Sequence, residues 1–185
     1  MSGGSRTGLV LAPGASATRD HSALVAIDKA VSADGVIVSR IDLPRSGKAE
    51  RMVGVVEAAA SQLAEQVDRV VLGGRSLGGR VGSLAAAGGW PTAGLALVSY
   101  PLHPPGKPEQ LRTAHFPALT MPCLFVSGTR DTFGTPAQLE AATAAIPGPV
   151  THIWIEGGDH GLRGKDGPVA EAVRDWLRSI GAAQR

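Results

Sequence analysis

Short apolar runs punctuate this chain, and they constrain its fold more than any other feature. Leu9-Val10-Leu11-Ala12, Val36-Ile37-Val38, Val70-Val71-Leu72, Leu95-Ala96-Leu97-Val98, Cys123-Leu124-Phe125-Val126 and Ile153-Trp154-Ile155 are apolar without interruption. A strand with one wet face alternates polar and apolar residues; a strand buried on both faces does not. Between the runs lie stretches with apolar residues at helical spacing. Strands that are apolar throughout and alternate with helices mean a parallel sheet covered on both faces. The expected fold class is α/β, with a mostly parallel sheet of about six strands and helices on both faces. Ligands of such sheets sit at the carboxyl ends of the strands, so the residues just after each run matter most.

The strands are expected over residues 7–12, 36–41, 70–73, 94–100, 123–127 and 150–155. A first helix is expected over 21–31, with Asp20 as its N-cap and Leu24, Ile27 and Val31 inward. A second spans 49–66, with Met52, Val56, Ala60, Leu63 and Val67 inward, and a third spans 77–87. The fourth, 136–146, has Pro136 in its first turn, and the closing helix, 168–180, turns Val169, Val173, Trp176, Leu177 and Ile180 inward. Residues 101–120 hold five prolines and read as a loop, with one helical turn at most, over 109–114. No insertion is long enough to build a lid domain. Residues 1–6 read as a flexible polar tail and 7–185 as one domain.

Composition removes several classes of function. Apolar residues make up 43% of the chain and charged residues 18%, the balance of a globular protein. The formal net charge is +2 with no basic block, and aromatics are 4%, so nothing marks a nucleic-acid surface. Cys123 is the single cysteine, which excludes an internal disulfide and a thiolate metal cluster. No ligand spacing for a metal is present, and neither metal nor cofactor is expected. The opening Met1-Ser2-Gly3-Gly4-Ser5-Arg6 carries no apolar core of signal-peptide length, and no stretch is long enough for a membrane span. A cytoplasmic protein that does not bind membranes is expected. The oligomeric state is open.

The third run leads into Gly74-Arg75-Ser76-Leu77-Gly78, which has the Gly-x-Ser-x-Gly form of a nucleophile elbow. The serine of such an elbow stands on a strained backbone that pushes its hydroxyl outward. Positions without side chains let the following helix pass close to the strand. In a chain with 25 glycines the motif alone is weak, so the context carries the inference. Asp131 follows the fifth run and His160 the sixth. The chain order Ser76, Asp131, His160 is the order of an α/β-hydrolase triad. A serine hydroxyl needs a base to take its proton, the His160 imidazole can serve as that base, and Asp131 would hold the imidazole tautomer. An oxyanion hole needs two backbone N–H donors. Leu77, next to the nucleophile at a helix start, is one; Ala15, in the loop after the first strand, is the other.

Competing readings attach to other residues. Asp131 could cap the turn before Pro136, and Asp34, Asp42 and Asp159 are rival acids, Asp159 reading as a loop hydrogen-bonding residue. His21 and His115 read as solvent-facing, His152 lies inside a strand, and His103 is a candidate for lining the site. Arg75 and Arg80 could steer an anionic substrate, with surface ion pairs as the plainer reading. Cys123 reads as an inert core residue. Gly74 to Arg80 nearly fits a phosphate-binding loop, but Arg80-Val81 stands where that loop needs Lys and then Ser or Thr. Nucleotide binding is not expected.

The elbow Gly73 to Arg80, the stretch Tyr100-Pro101-Leu102-His103-Pro104-Pro105-Gly106-Lys107-Pro108 and Ser127-Gly128-Thr129-Arg130-Asp131 together resemble a small branch of the α/β-hydrolases. It is the branch akin to dienelactone hydrolases that holds the testis-expressed hydrolase-like proteins and their bacterial relatives. The resemblance implies a compact α/β-hydrolase with a shortened sheet and no lid, with Ser76, Asp131 and His160 as its triad. Two positions depart from it. Pro13-Gly14 stands where many relatives have His-Gly, and Ser76 stands where dienelactone hydrolases proper carry cysteine. The expected activity is hydrolysis of a small-molecule acyl substrate, a short-acyl ester or a related compound, through an acyl-enzyme on Ser76. The alternative is a hydrolase-like protein-interaction module with little or no catalysis.

Overall fold

The structure, a computed structural model, describes residues 5–182. Six strands form one sheet: β1 (Thr7–Ala12), β2 (Ile37–Arg40), β3 (Arg69–Arg75), β4 (Leu95–Val98), β5 (Cys123–Gly128) and β6 (Val150–Ile155). Their order is β2-β1-β3-β4-β5-β6, and every pairing among the described residues is parallel. Five α-helices cover the sheet: α1 (Ser22–Ser32), α2 (Val53–Ala64), α3 (Leu77–Ala87), α4 (Pro136–Thr143) and α5 (Asp166–Ala182). Residues 1–4 of the expected tail lie outside the described residues. Arg6, also assigned to that tail, is tied down: its N–H donates to Asp68 Oδ2 at 2.6 Å, and its carbonyl accepts from the Asp68 N–H.

The strand order explains the two layers. The chain steps from β1 outward to β2, then crosses back over β1 to β3 and continues in the other direction. Right-handed crossovers then place α1 on one face and α2 on the other. The core divides accordingly. Leu9, Leu11, Val71, Ala96, Val98, Leu124 and Val126 pack against Leu24, Ile27 and Val31 of α1 and Val169, Val173, Trp176 and Leu177 of α5. Val10, Leu72, Leu97 and Phe125 point the opposite way, toward Val56, Ala60 and Leu63 of α2, Val81 and Ala85 of α3 and Leu139 of α4. Successive residues of one strand thus feed two cores, which is why the runs are apolar throughout. The direction of winding reverses between β1 and β3, and a crevice opens there at the carboxyl ends.

Several boundaries differ from the sequence expectation. His21, not Asp20, caps α1: its Nδ1 accepts from the Ala23 N–H at 3.3 Å, while the Asp20 carboxylate pairs with Arg40 at 3.0 Å. Residues 49–52 form a 3₁₀ turn before α2 begins. Helix α4 ends at Thr143, because Ile146 precedes Pro147 and the residue before a proline avoids helical geometry. The helical turn expected at 109–114 is absent; a 3₁₀ turn sits instead at Phe116–Ala118. The 101–120 segment is a folded loop, anchored by the buried Tyr100, Leu102, Phe116 and Leu119. Tyr100 and Phe116 each meet Phe125 edge to face and tilt against one another, and the Tyr100 hydroxyl donates to the Arg112 carbonyl at 2.7 Å. Among the described residues no helix is long and apolar enough to cross a membrane.

Candidate active site

Strand β3 ends in Gly73-Gly74-Arg75, and Ser76 turns the chain into α3. Ser76 has φ 49° and ψ −113°, a conformation L-residues seldom adopt. It is held there by its neighbours: its N–H donates to the Val98 carbonyl at 2.8 Å, and its own carbonyl accepts from the Arg80 N–H at 3.0 Å. The turn needs its glycines. A Cβ at Gly74 would stand 2.5 Å from the Ala12 carbonyl oxygen, and one at Gly78 would overlap the Ala12 carbonyl group itself. Helix α3 therefore crosses β1 backbone against backbone, as the elbow motif requires.

The Ser76 side chain does not cap α3. Its Oγ lies 2.9 Å from His160 Nε2. On the other side of the ring, Nδ1 lies 2.9 and 3.0 Å from the two carboxylate oxygens of Asp131. Nδ1 carries the proton toward the carboxylate, which leaves the Nε2 lone pair facing the serine hydroxyl. Asp131 is 1% exposed, and its Oδ1 also accepts from the Phe133 N–H at 2.8 Å. The carboxylate thus shapes its own loop and holds the imidazole at once. Ser76, Asp131 and His160 come from the ends of β3, β5 and β6, three separate strands brought together at one edge of the sheet.

Ser76 opens onto a cavity of about 530 Å³, lined beside it by Ala15, Leu77 and Phe133. Among the described residues neither the Ala15 nor the Leu77 N–H donates to another group. Two unused amides therefore flank the serine, the Leu77 amide at the positive end of α3. Such a pair can receive a developing oxyanion.

Sequence reasoning missed two neighbours of the imidazole. The Phe133 ring stacks on His160, with centroids 3.8 Å apart and planes 20° from parallel. Arg75 is not a surface ion-pair residue: it runs under the site, and its Nη2 donates to the His160 carbonyl at 3.0 Å. Burial lowers the Arg75 pKa, opposed by the nearby carboxylates of Asp131, Asp159 and Asp166. Arg75 stands between Gly74 and Ser76 as the last residue of β3, where successive side chains point to opposite faces of the sheet. Arg80 does make the ion pair expected of it, with Glu50 at 2.9 Å.

The other histidines play no part in this cluster. His103 is 4% exposed and hydrogen-bonds within its loop to the Pro104 carbonyl at 2.9 Å; it does not line the cavity. His115 is half-buried, not solvent-facing, and its Nε2 lies 2.8 Å from Ser83 Oγ. Ser83 donates to the Arg80 carbonyl, so His115 donates to Ser83. Burial and then Arg80 push the His115 pKa down to about 4. Asp159 accepts from the Leu162 N–H within its own loop, as expected. Cys123 is buried, and burial pushes its thiol up to about 12, which keeps it protonated. Among the described residues no cluster of three or more His, Cys, Asp or Glu could hold a metal ion.

Comparison with known proteins agrees with this fold. The family model for the alpha/beta hydrolase domain matches residues 5–172. The chain belongs to the α/β-hydrolase domain family. Among solved structures, Est1E from Butyrivibrio proteoclasticus superposes with a TM-score of 0.77 at 17% identity, covering 97% of this chain and 90% of that one. A thermophilic esterase from Thermogutta terrifontis gives a TM-score of 0.77 at 21% identity, covering 96% and 92%. An alpha-beta serine hydrolase homologue from Coxiella burnetii gives 0.76 at 20%, covering 93% and 85%. At these identities the likeness is one of fold. This α/β-hydrolase keeps its polar cluster where that fold places ligands, at the carboxyl edge beside the reversal of winding.

Proposed function

We propose that this α/β-hydrolase is a serine hydrolase of small-molecule acyl esters, with Ser76 as nucleophile, His160 as general base and acid, and Asp131 as the group that orients the imidazole. The observation that carries the reading is the unbroken chain of hydrogen bonds Ser76 Oγ–His160 Nε2 at 2.9 Å and His160 Nδ1–Asp131 at 2.9 Å. In the proposed reaction His160 Nε2 takes the Ser76 hydroxyl proton as Oγ bonds to the ester carbonyl carbon. The carbonyl oxygen gains the electron pair and accepts from the Leu77 and Ala15 amides. The carbonyl then re-forms, the C–O bond to the alcohol breaks, and His160 gives its proton to the departing alkoxide. A water molecule, deprotonated by His160, releases the acyl group from Ser76 as a carboxylic acid. The imidazolium that forms twice in each cycle is stabilised by the Asp131 carboxylate.

Short acyl groups fit best, because the site is open and the 101–120 segment is folded onto the body of the protein. The Tyr100–Pro108 stretch supports placing the chain in the dienelactone-hydrolase-like branch, with serine as the nucleophile. A cytoplasmic location and a free small-molecule substrate belong to the same reading. The non-catalytic alternative, an interaction module, gains no support from a serine already bonded to its histidine. A fluorophosphonate probe tests the proposal. It should label the native protein at Ser76, and a short-chain nitrophenyl ester should release a burst of nitrophenol. Ser76→Ala should abolish both, with a loss on the order of 10⁶ in turnover as in well-studied serine hydrolases. Folded protein that stays unlabelled would refute it.

A further inference from the structure

The cavity that receives the Ser76 hydroxyl is also lined by Lys48, Arg80 and Arg112, with Glu50 as the one carboxylate on its wall. Three cations against one anion is a pronounced imbalance in a chain whose formal net charge is only +2. Glu50 is engaged: its Oε1 accepts from Arg80 Nη2 at 2.9 Å. Arg80 Nε is buried without a hydrogen-bond partner. The Arg112 guanidinium, half-buried and close enough to Arg80 to feel its charge, has no ion-pair or hydrogen-bond partner among the described residues. Its backbone does the structural work there, the N–H donating to Leu102 and the carbonyl accepting from Tyr100. Arg80 and Arg112 thus line one cavity whose single carboxylate, Glu50, bonds Arg80 alone; donors and positive charge stay unmatched, and a second carboxylate answers them.

The topology says which part of a substrate would carry it. Lys48 and Glu50 arrive from the connection between β2 and α2, at one edge of the sheet, and Arg112 from the segment after β4; His160 arrives from β6, at the other edge. His160 must face the leaving alcohol to protonate it, so the acyl portion points toward the β2 side. Arg80 sits four residues beyond Ser76 on α3, about 6 Å along the helix axis, which is one turn. An acyl chain of a few methylenes spans that distance.

Resting on the proposed hydrolase reading, we infer that the preferred substrate is an ester whose acyl group ends in a carboxylate, a half-ester of a short dicarboxylic acid, with the free carboxylate held by Arg80 and Arg112. Hydrolysis adds water across the ester bond and releases the alcohol and the dicarboxylate. The Leu77 and Ala15 amides then serve the scissile carbonyl, and the cations one helical turn away serve the far end.

The test compares monomethyl glutarate with methyl 5-oxohexanoate, which puts a neutral acetyl group where the first has its carboxylate. The wild-type protein should favour the anionic ester by about tenfold in kcat/KM, carried by KM, the size of one well-placed charge-assisted contact. Arg112→Gln should bring that ratio toward unity. Glu50→Gln, at an exposed position, should raise it by freeing Arg80, with thermal unfolding as the check that the variant is folded. Binding of monomethyl glutarate to Ser76→Ala, followed by calorimetry, separates the two claims. If both esters turn over with equal kcat/KM, or the neutral one is preferred, the inference is wrong while the hydrolase reading stands. If neither turns over and Ser76 stays unlabelled by fluorophosphonate, yet Ser76→Ala binds monomethyl glutarate and the Ser76→Ala/Arg112→Gln double variant does not, the hydrolase reading fails and the carboxylate site stands. Absence of turnover, binding and fluorophosphonate labelling overturns both; absence of turnover and binding in a protein that is still labelled at Ser76 overturns the inference alone.

Discussion

Replacing Asp131 by Asn is the sharpest probe of the proposed chemistry, because it exchanges one carboxylate oxygen for an NH₂ group, and so an acceptor for a donor, at almost no change in volume. The Asp131 carboxylate accepts from the Phe133 N–H at 2.8 Å and from His160 Nδ1 at 2.9 and 3.0 Å. An asparagine keeps one oxygen, and the Phe133 amide claims it, since that amide can only donate. The new NH₂ group then faces Nδ1, and two donors cannot share the contact. The imidazole answers by moving its proton to Nε2, where it points at Ser76 Oγ 2.9 Å away. In that tautomer the ring can no longer take the serine proton. The same substitution in a well-studied serine protease lowers kcat by about 10⁴, equivalent to about 5.5 kcal/mol of barrier, and a loss of that order is expected here. The assay is turnover of a short-chain nitrophenyl ester near neutral pH, with fluorophosphonate labelling as an independent measure of serine reactivity. Thermal unfolding checks that the variant is folded. A folded Asp131→Asn protein that loses less than tenfold in both measurements would show that the imidazole tautomer does not control the serine.

Three further outcomes follow from particular contacts. Gly78→Ala should destabilise the protein by about 3 kcal/mol or more in urea unfolding, because its methyl group would overlap the Ala12 carbonyl. Gly82→Ala on the same helix should be neutral or stabilising by up to about 1 kcal/mol, since its Cβ would meet Leu72 at an ordinary 3.6 Å; equal effects at the two positions would disprove the backbone-contact argument. Phe133→Leu should lower kcat by about threefold to tenfold, the worth of a stacked aromatic contact that fixes the His160 ring, and an unchanged labelling rate would show that the stack does not position it. Stability should fall as pH drops from 6.5 toward 4, because the unfolded chain protonates His115 at its ordinary 6.5 while the folded protein holds it neutral down to about 4. His115→Gln should flatten that fall without abolishing it, since His21 and His152 are lowered as well; an unchanged slope would refute the assignment.

Much of this protein could be read from local pattern. A strand buried on both faces must be apolar at every position, and Leu9-Val10-Leu11-Ala12 and Cys123-Leu124-Phe125-Val126 obey that rule wherever the other strands lie. The 3.6-residue period of α5 named its buried face correctly, from Val169 to Ile180. The glycines around Ser76 marked a backbone that no larger residue could follow, and the order Ser76, Asp131, His160 placed all three after strands. The sequence alone therefore determined the architecture, the elbow and the edge on which the polar cluster forms.

Only the tertiary structure decided what surrounds that cluster. Arg75 and His160 are 85 residues apart, and their hydrogen bond exists because β3 and β6 end at the same sheet edge. Phe133 lies two residues from Asp131, but nothing in the sequence says that the loop folds its ring onto the imidazole. Lys48, Arg80 and Arg112 belong to three different connections and meet on one cavity wall through the order β2-β1-β3-β4. His115 looked solvent-facing because a proline-rich loop has no periodicity to betray which side packs inward. The physical division is one of range: burial pattern and turn geometry are set by neighbours along the chain, whereas charge clusters and ring contacts are set by which strand ends lie side by side.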